Sequence, residues 1–318
     1  MKIDSSNHLI NYKKIYDENN ISSEKSKKED LLHSEGKRSD KESGVLYSHA
    51  PATKYSDRDG IVVMKAAASD VYENQQVQSK LSSLGFYSGP IDGNLNSSVS
   101  RSAITVFQKV YGVSGENGNY GSRTRTKLTS VYNTYLSAYN SQGCTNLKQQ
   151  YGLDYTEKAN MARTWAFLRK GMGLTAKQSA GIMGNMLLES RFSSDNVNEG
   201  MYPGDHDYNY SYSTNDGVAY GLIQWRDSSR KQGLLNKAGE LGLSVSNLNA
   251  QLAYLRQELT GSVNGNSSYK YWWENYVVTQ TSVQNMCDRF AEYIEGNTGS
   301  RETRRANAQA IYNAFSAF

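Results

Sequence analysis

A chain of 318 residues with 37% hydrophobic side chains is long enough for two or three domains and at least one sizeable core. Its formal charge of +4 suits attraction to an anionic polymer but is too small to argue for nucleic acid. No run of eighteen apolar residues occurs, which excludes a transmembrane helix, and 24 tyrosines against 7 phenylalanines make the aromatic content polar.

Residues 1–68 mix Lys, Glu, Ser, Asp and Asn without apolar periodicity, as in Ser22-Ser-Glu-Lys-Ser-Lys-Lys-Glu-Asp30. Such a stretch cannot bury enough surface to offset its ordering entropy, so a disordered polar tail is expected. Ile61-Val-Val-Met64 interrupts it as a short apolar patch that reads as a strand or a docking point. The start, Met1-Lys-Ile-Asp-Ser-Ser-Asn-His8, has no apolar segment, and no standard secretory signal peptide is expected.

Residues 69–140 read as three helices. Val77, Leu81 and Leu84 recur at helical spacing before Gly85, and a turn cluster follows at Phe86–Gly93. A second helix is predicted over 98–111, with Val99, Ala103, Val106 and Val110 on one face. After Gly118-Asn-Tyr-Gly121, Ser122 is expected to cap a third helix carrying Leu128, Val131 and Tyr135. The two Gly-bounded loops, each leading into a helix, form a degenerate internal repeat. Residues 141–153 read as a polar linker.

The motif of Val77-Gln78-x-x-Leu81, Leu84-Gly-Phe-Tyr87, Asp92-Gly93, Phe107-Gln108 and Asn117-Gly118-x-Tyr120-Gly121 resembles the peptidoglycan-binding domain of bacterial and phage wall hydrolases. The resemblance implies a three-helix module that holds glycan strands and has no chemistry of its own. One departure is Asp92-Gly-Asn-Leu-Asn96-Ser-Ser-Val99, where the family usually has a glycine and a threonine.

From Asp154 to Phe318 the apolar positions predict a mostly helical unit. Met161, Trp165, Leu168 and Met172 form one stripe. Thr175 with Gln178 reads as a capping box, opening a helix with Ile182, Met183, Met186 and Leu187 on one side and Glu189 at the stripe's edge. A carboxyl half inside apolar packing is expected to be raised towards the range of a general acid. A tyrosine-rich loop then leads to Ala219-Tyr-Gly-Leu-Ile-Gln-Trp225. Further helices are capped by Asn247 and Ser282, and the last carries Arg304, Ala308, Ile311 and Phe315.

Cys144 and Cys287 lie far apart with no CxxC or Cys/His spacing, so a zinc site is not expected, and one disulfide and two buried thiols both fit. Asp205-His206-Asp207 is poor evidence for a metal, and no cofactor is expected.

The order Ala180-Gly-Ile-Met-Gly-Asn-Met-x-x-Glu189-Ser190-x-Phe192, Ala219–Trp225, Arg230-Lys231 and Leu248-x-x-Gln251 resembles the phage tail lysozyme domain. The Glu-Ser and Gly-Leu-Ile-Gln pairs are also similar to goose-type lysozymes and lytic transglycosylases. The whole chain is thus expected to be mainly α: a three-helix peptidoglycan-binding domain plus a lysozyme-like α (α+β) catalytic domain at 154–318, behind a disordered tail. The resemblance implies a hydrolase of the β-1,4 bond between N-acetylmuramic acid and N-acetylglucosamine, with Glu189 as general acid. For the second carboxylate the loop offers Asp195, Asp205, Asp207, Asp216 and, beyond it, Asp227; Asp216 ranks first and Asp207 second. Tyr220, Gln224, Trp225 and Ser190 are the expected substrate contacts, an aromatic face suiting a sugar ring and an amide suiting an N-acetyl group.

Three rivals stay open: a lytic transglycosylase, which needs no second carboxylate and leaves 1,6-anhydro ends; a peptidase, disfavoured because no Cys/His pair or zinc set accompanies the site; and a non-catalytic wall-binding or assembly protein. The expected partner is the peptidoglycan glycan strand, reached at the cell wall or outside the cell after release through a holin, a phage tail or a flagellar-type export route.

Overall fold

A computed structural model describes residues 67–197, 206–207, 210–261 and 267–318. The expected tail, apart from its last two residues, lies outside this range, as do Ile61–Met64 and Asp205. The described residues form one compact unit.

Three helices open it: α1 (Ala67–Ser83), α2 (Ser98–Tyr111) and α3 (Ser122–Asn140). Leu81, Leu84, Phe107, Val110, Leu128 and Val131 are buried between them. The internal repeat has a physical basis in two buried glutamines. Gln78 Oε1 accepts from Gly93 N at 2.8 Å while its Nε2 donates to Asp92 Oδ1 at 2.7 Å. Gln108 repeats the device: its Oε1 accepts from Gly118 N at 2.7 Å and its Nε2 donates to Asn119 O at 2.8 Å. Each helix thereby holds the turn that follows it.

Two local expectations are corrected. Val99 is exposed, because it stands in the first turn of α2, at the end of the buried face that Ala103 and Phe107 continue. Ser122 is not the cap of α3; Gly121 stands there, and the Glu116 carboxylate reaches in to accept from Arg123 N at 2.9 Å and Thr124 N at 2.8 Å. The free helix donors are satisfied from a distant loop rather than by the adjacent hydroxyl.

The expected linker at 141–153 is mostly helix α4 (Gln142–Gln150), capped by Ser141, with Cys144 and Leu147 buried. Then come α5 (Tyr155–Ala166), α6 (Ala176–Ser190), α7 (Ser228–Leu241), α8 (Leu248–Thr260), α9 (Ser268–Trp272), α10 (Val283–Phe290) and α11 (Arg301–Phe315). Widened π turns continue three of them, at Phe167–Gly171 after α5, Trp273–Val277 after α9 and Ala291–Glu295 after α10. The capping box of Thr175 and Gln178 starts α6 as read from the sequence.

Helix α6 is the axis of the second half. Ala180, Ile182, Met183, Met186 and Leu187 are all enclosed, and Gly181 and Gly184 let two helices approach its backbone. A methyl at Gly181 would stand 2.7 Å from Met286 Cβ on α10; one at Gly184 would stand 2.6 Å from Ala308 N on α11. Nothing larger than glycine fits that spacing.

Helices α1 and α2 are joined to the rest by carbonyls at their C-terminal ends. Arg163 Nε donates to Ser83 O at 2.9 Å, Asn249 Nδ2 to Leu84 O at 3.1 Å and Arg256 Nη2 to Lys109 O at 3.0 Å. Cations and donors at helix C-termini satisfy carbonyls that have no partner within the helix. The chain is mainly α. Where α+β was expected, the described residues contain no strand, only single bridges such as Val197 with Tyr220 and Tyr220 with Trp225. No helix among them is long and apolar enough to cross a membrane.

Candidate active site

Helix α6 ends at Ser190 and is followed by Arg191 and Phe192 at φ 54° and 64°. Two successive left-handed residues without glycine are strained, and they turn the chain sharply away from the helix end. Phe192 is held there by its burial and by Asn160 Nδ2, which donates to its carbonyl at 3.0 Å.

Against this helix end lies a tight turn. Tyr220 and Trp225 exchange backbone hydrogen bonds at 3.0 Å, closing Gly221-Leu-Ile-Gln224. Gln251 of α8 organises the turn: its Oε1 accepts from Leu222 N at 2.8 Å, and its Nε2 donates to Ser194 O at 2.6 Å. Gly221 has φ 77°, and a methyl there would lie 2.7 Å from Gln251 Nε2, so both conformation and space demand glycine.

Glu189 lies in the last turn of α6. The apolar edge expected around it is replaced by a cation: Glu189 Oε1 pairs with Nη2 of Arg304 from α11. The Arg304 side chain is itself buried. Its Nη1 donates to Asn185 Oδ1 at 2.8 Å and to Glu295 Oε2 at 2.7 Å, and its Nε to Gly299 O at 3.1 Å. Asn185 and Glu189 are four residues apart and share one face of α6. Glu295 closes the π turn after α10. Burial, and next the Glu189 charge, push its carboxyl up to about 8, against the pull of Arg304 and Arg230.

Glu295 also borders a cleft of about 290 Å³ with Arg230, Tyr269, Trp272, Glu292 and Tyr293. The Arg230 guanidinium lies 4.5 Å from the Tyr269 ring centroid, and Tyr293 stacks on Tyr276 at 4.9 Å. Glu258 anchors Arg230 in turn with bonds of 2.7 and 2.8 Å. Flat aromatic walls with polar tips beside a carboxyl suit a carbohydrate.

A family model described as phage tail lysozyme matches residues 159–315. A second model, of a peptidoglycan binding domain, matches residues 73–128. The chain carries a phage tail lysozyme domain behind a peptidoglycan-binding domain. No curated protein and no solved structure matches it.

Within the lysozyme domain, several residues singled out from the sequence hold other places. Asp216 is the counter-ion of Lys231, whose Nζ donates to it at 2.6 Å with its side chain wholly enclosed. Burial pulls the Asp216 carboxyl up, but hydrogen bonds from Lys231, Tyr210 and Val218 N outweigh it and hold it below the usual range. Asp207 accepts from the Tyr220 hydroxyl at 2.7 Å. Among the described residues, no hydrogen bond or ion pair joins either aspartate to Glu189. Asp195 sits 3.1 Å from His206 Nδ1, and Asp227 is the N-cap of α7.

Three of the expected sugar contacts are corrected. Tyr220 and Trp225 are fully buried, and Trp225 Nε1 donates to Glu258 Oε2 at 3.3 Å. The tight turn points both rings into the core, so neither offers a face to a sugar. Ser190 is enclosed as well and donates to Leu222 O at 2.8 Å. Gln224 stays half-buried, at φ 55°, with Nε2 donating to Asn196 Oδ1 at 2.9 Å.

Sequence reasoning missed the cleft aromatics and Glu295. A usable signal was the aromatic density of Tyr269-Lys-Tyr-Trp-Trp-Glu-Asn-Tyr276.

Proposed function

We propose that the chain is a muramidase that hydrolyses the β-1,4 bond between N-acetylmuramic acid and N-acetylglucosamine, with Glu189 as general acid. The leaving sugar oxygen needs a proton, because an alkoxide is a poor leaving group. The observation that carries this reading is the place of Glu189 inside the phage tail lysozyme match: it stands at the end of a buried helix, fastened by Arg304 to a carboxyl that borders an aromatic cleft. The peptidoglycan-binding domain, which we place at 69–140, would hold the same polymer close to the cleft. The catalytic unit would then run from 154 to 318, acting at the wall after release from the cell.

The engagement of Asp216 with Lys231 favours a second reading, in which no loop carboxylate takes part. A lytic transglycosylase uses the 6-hydroxyl of the substrate in place of water and leaves 1,6-anhydro ends. Mass spectrometry of muropeptides from purified wall, digested with wild type and with Glu189→Gln, separates the two. Reducing ends with wild type and none with Glu189→Gln are expected; anhydro ends would establish the transglycosylase, and equal activity in the variant would remove Glu189 from the chemistry.

A further inference from the structure

Glu295 is 3% exposed at its side chain, yet only half of its carboxyl is satisfied. Oε2 takes the Arg304 bond, while Oε1 is buried with no hydrogen-bond partner among the described residues. An enclosed carboxyl oxygen without a donor is costly to keep. One that also borders a cleft is a candidate to meet a ligand there.

We propose that Glu295, and not a loop aspartate, is the second carboxyl of the glycan-cleaving site, paired with Glu189 through Arg304. This rests on the reading that Glu189 acts in glycan cleavage. The two terminal nitrogens of one planar guanidinium hold the two carboxyls, Nη2 on Glu189 and Nη1 on Glu295, which fixes their spacing and mutual orientation.

Charge accounting supports the pairing. With both carboxyls ionised, Glu189, Arg304 and Glu295 carry one excess negative charge in a place largely closed to water; with one proton retained, the cluster is neutral. The charged and titratable groups facing Glu295 are Glu189 from α6, Arg230 from α7, Cys287 from α10 and Arg304 from α11. Burial pushes the Cys287 thiol up to about 12, so it stays neutral. The upward displacement of the Glu295 carboxyl agrees with a pair that keeps one proton at neutral pH.

Hydrolysis of a glycosidic bond by two carboxyls uses such a pair, one carboxyl with its proton and one without. In one turnover the pair gives its proton to the leaving oxygen as the bond from that oxygen to the sugar's C1 breaks. Water adds at C1 and returns one proton to the pair. Glu189, 18% exposed against 3% for Glu295, is the member that reaches the leaving oxygen, so the reacting form of the pair carries the shared proton on Glu189 and leaves Glu295 ionised. The π turn is what brings Glu295 in: one extra residue in the turn moves it off the solvent side of α10.

The test uses the full chain on purified peptidoglycan, with release of new glycan ends followed across pH. Wild type, Glu189→Gln, Glu295→Gln and Glu295→Asp are compared, with circular dichroism and wall pull-down on each. Expected is a loss of about 100-fold or more in Glu295→Gln, with fold and wall binding kept. Wild-type activity is expected to fall as pH rises through about 8, and that limb to move in Glu295→Asp. A Glu295→Gln rate within about threefold of wild type, beside an inactive Glu189→Gln, would remove Glu295 and leave the Glu189 reading intact. A wild type that releases no glycan ends would overturn both. Should Glu295→Gln not fold, Glu295→Asp decides: a wild-type rate with an unmoved alkaline limb overturns the pairing.

Discussion

The Ser190 hydroxyl donates to the Leu222 carbonyl at 2.8 Å, immediately after Glu189 in the chain. That bond ties the end of α6 to the Gly221–Gln224 turn, and both groups are buried. Replacing Ser190 by Ala would leave the carbonyl without its donor and should cost about 1–3 kcal/mol. Chemical denaturation of the variant is expected to show a lower midpoint. Its lytic rate should fall as well, because the neighbouring Glu189 loses its frame.

Gly221→Ala is expected to be worse than Ser190→Ala. It combines a left-handed φ with a methyl 2.7 Å from Gln251 Nε2. The strain alone is about 1–3 kcal/mol, and displacing Gln251 also frees Leu222 N and Ser194 O. Thermal unfolding measures the sum. A variant as stable as wild type would contradict the close approach of turn and helix.

Much of this architecture was legible because helix ends carry local chemistry. Thr175 with Gln178, Asn247 and Ser282 mark caps that the structure keeps, and the stripe of Ile182, Met183, Met186 and Leu187 is buried as its spacing demands. The site was less legible, for three reasons. Arg304 reads as one more position on an apolar stripe, and nothing local tells that it bridges Glu189, 115 residues away, to Glu295. Glu295 falls in a π turn, where 3.6-residue periodicity no longer indicates the inward face. Tyr220 and Trp225 flank a glycine whose left-handed backbone turns both rings inward, a direction that residue types do not encode.

Both cysteines are free and buried, and burial pushes each thiol up to about 12. A thiol held neutral and enclosed does not react with a disulfide reagent. Expected are no titratable thiols in the native protein at pH 8 and two after unfolding in denaturant; a single band shift on reduction would indicate a bond between them.

Asp216 gives a way to separate a counter-ion from a catalytic base. Asp216→Asn would leave the enclosed Lys231 ammonium unpaired, a loss of about 3–5 kcal/mol. Adding Lys231→Met removes the charge while roughly filling its volume. The double variant is expected to recover most of the stability and, with it, wall lysis. Recovered stability without lysis would return Asp216 to the chemistry.

Asp216 and Glu295 should bend the dependence of stability on pH in opposite directions. The Asp216 carboxyl is lowered from 3.8 on folding, so its contribution is present above about 3.8 and disappears as pH falls through the lower folded value. The Glu295 carboxyl is raised from 4.5 to about 8, so over that interval the folded chain holds a proton that the unfolded chain has released. Stability from this group is therefore full below about 4.5 and declines as pH rises towards about 8. Melting temperatures measured from acid to mildly alkaline pH should fall along that interval in wild type. Glu295→Gln has no proton to lose and should flatten the decline, while the acid-side loss, which belongs to Asp216 and other carboxylates, persists. A decline of equal slope in both proteins would mean that Glu295 is ionised throughout.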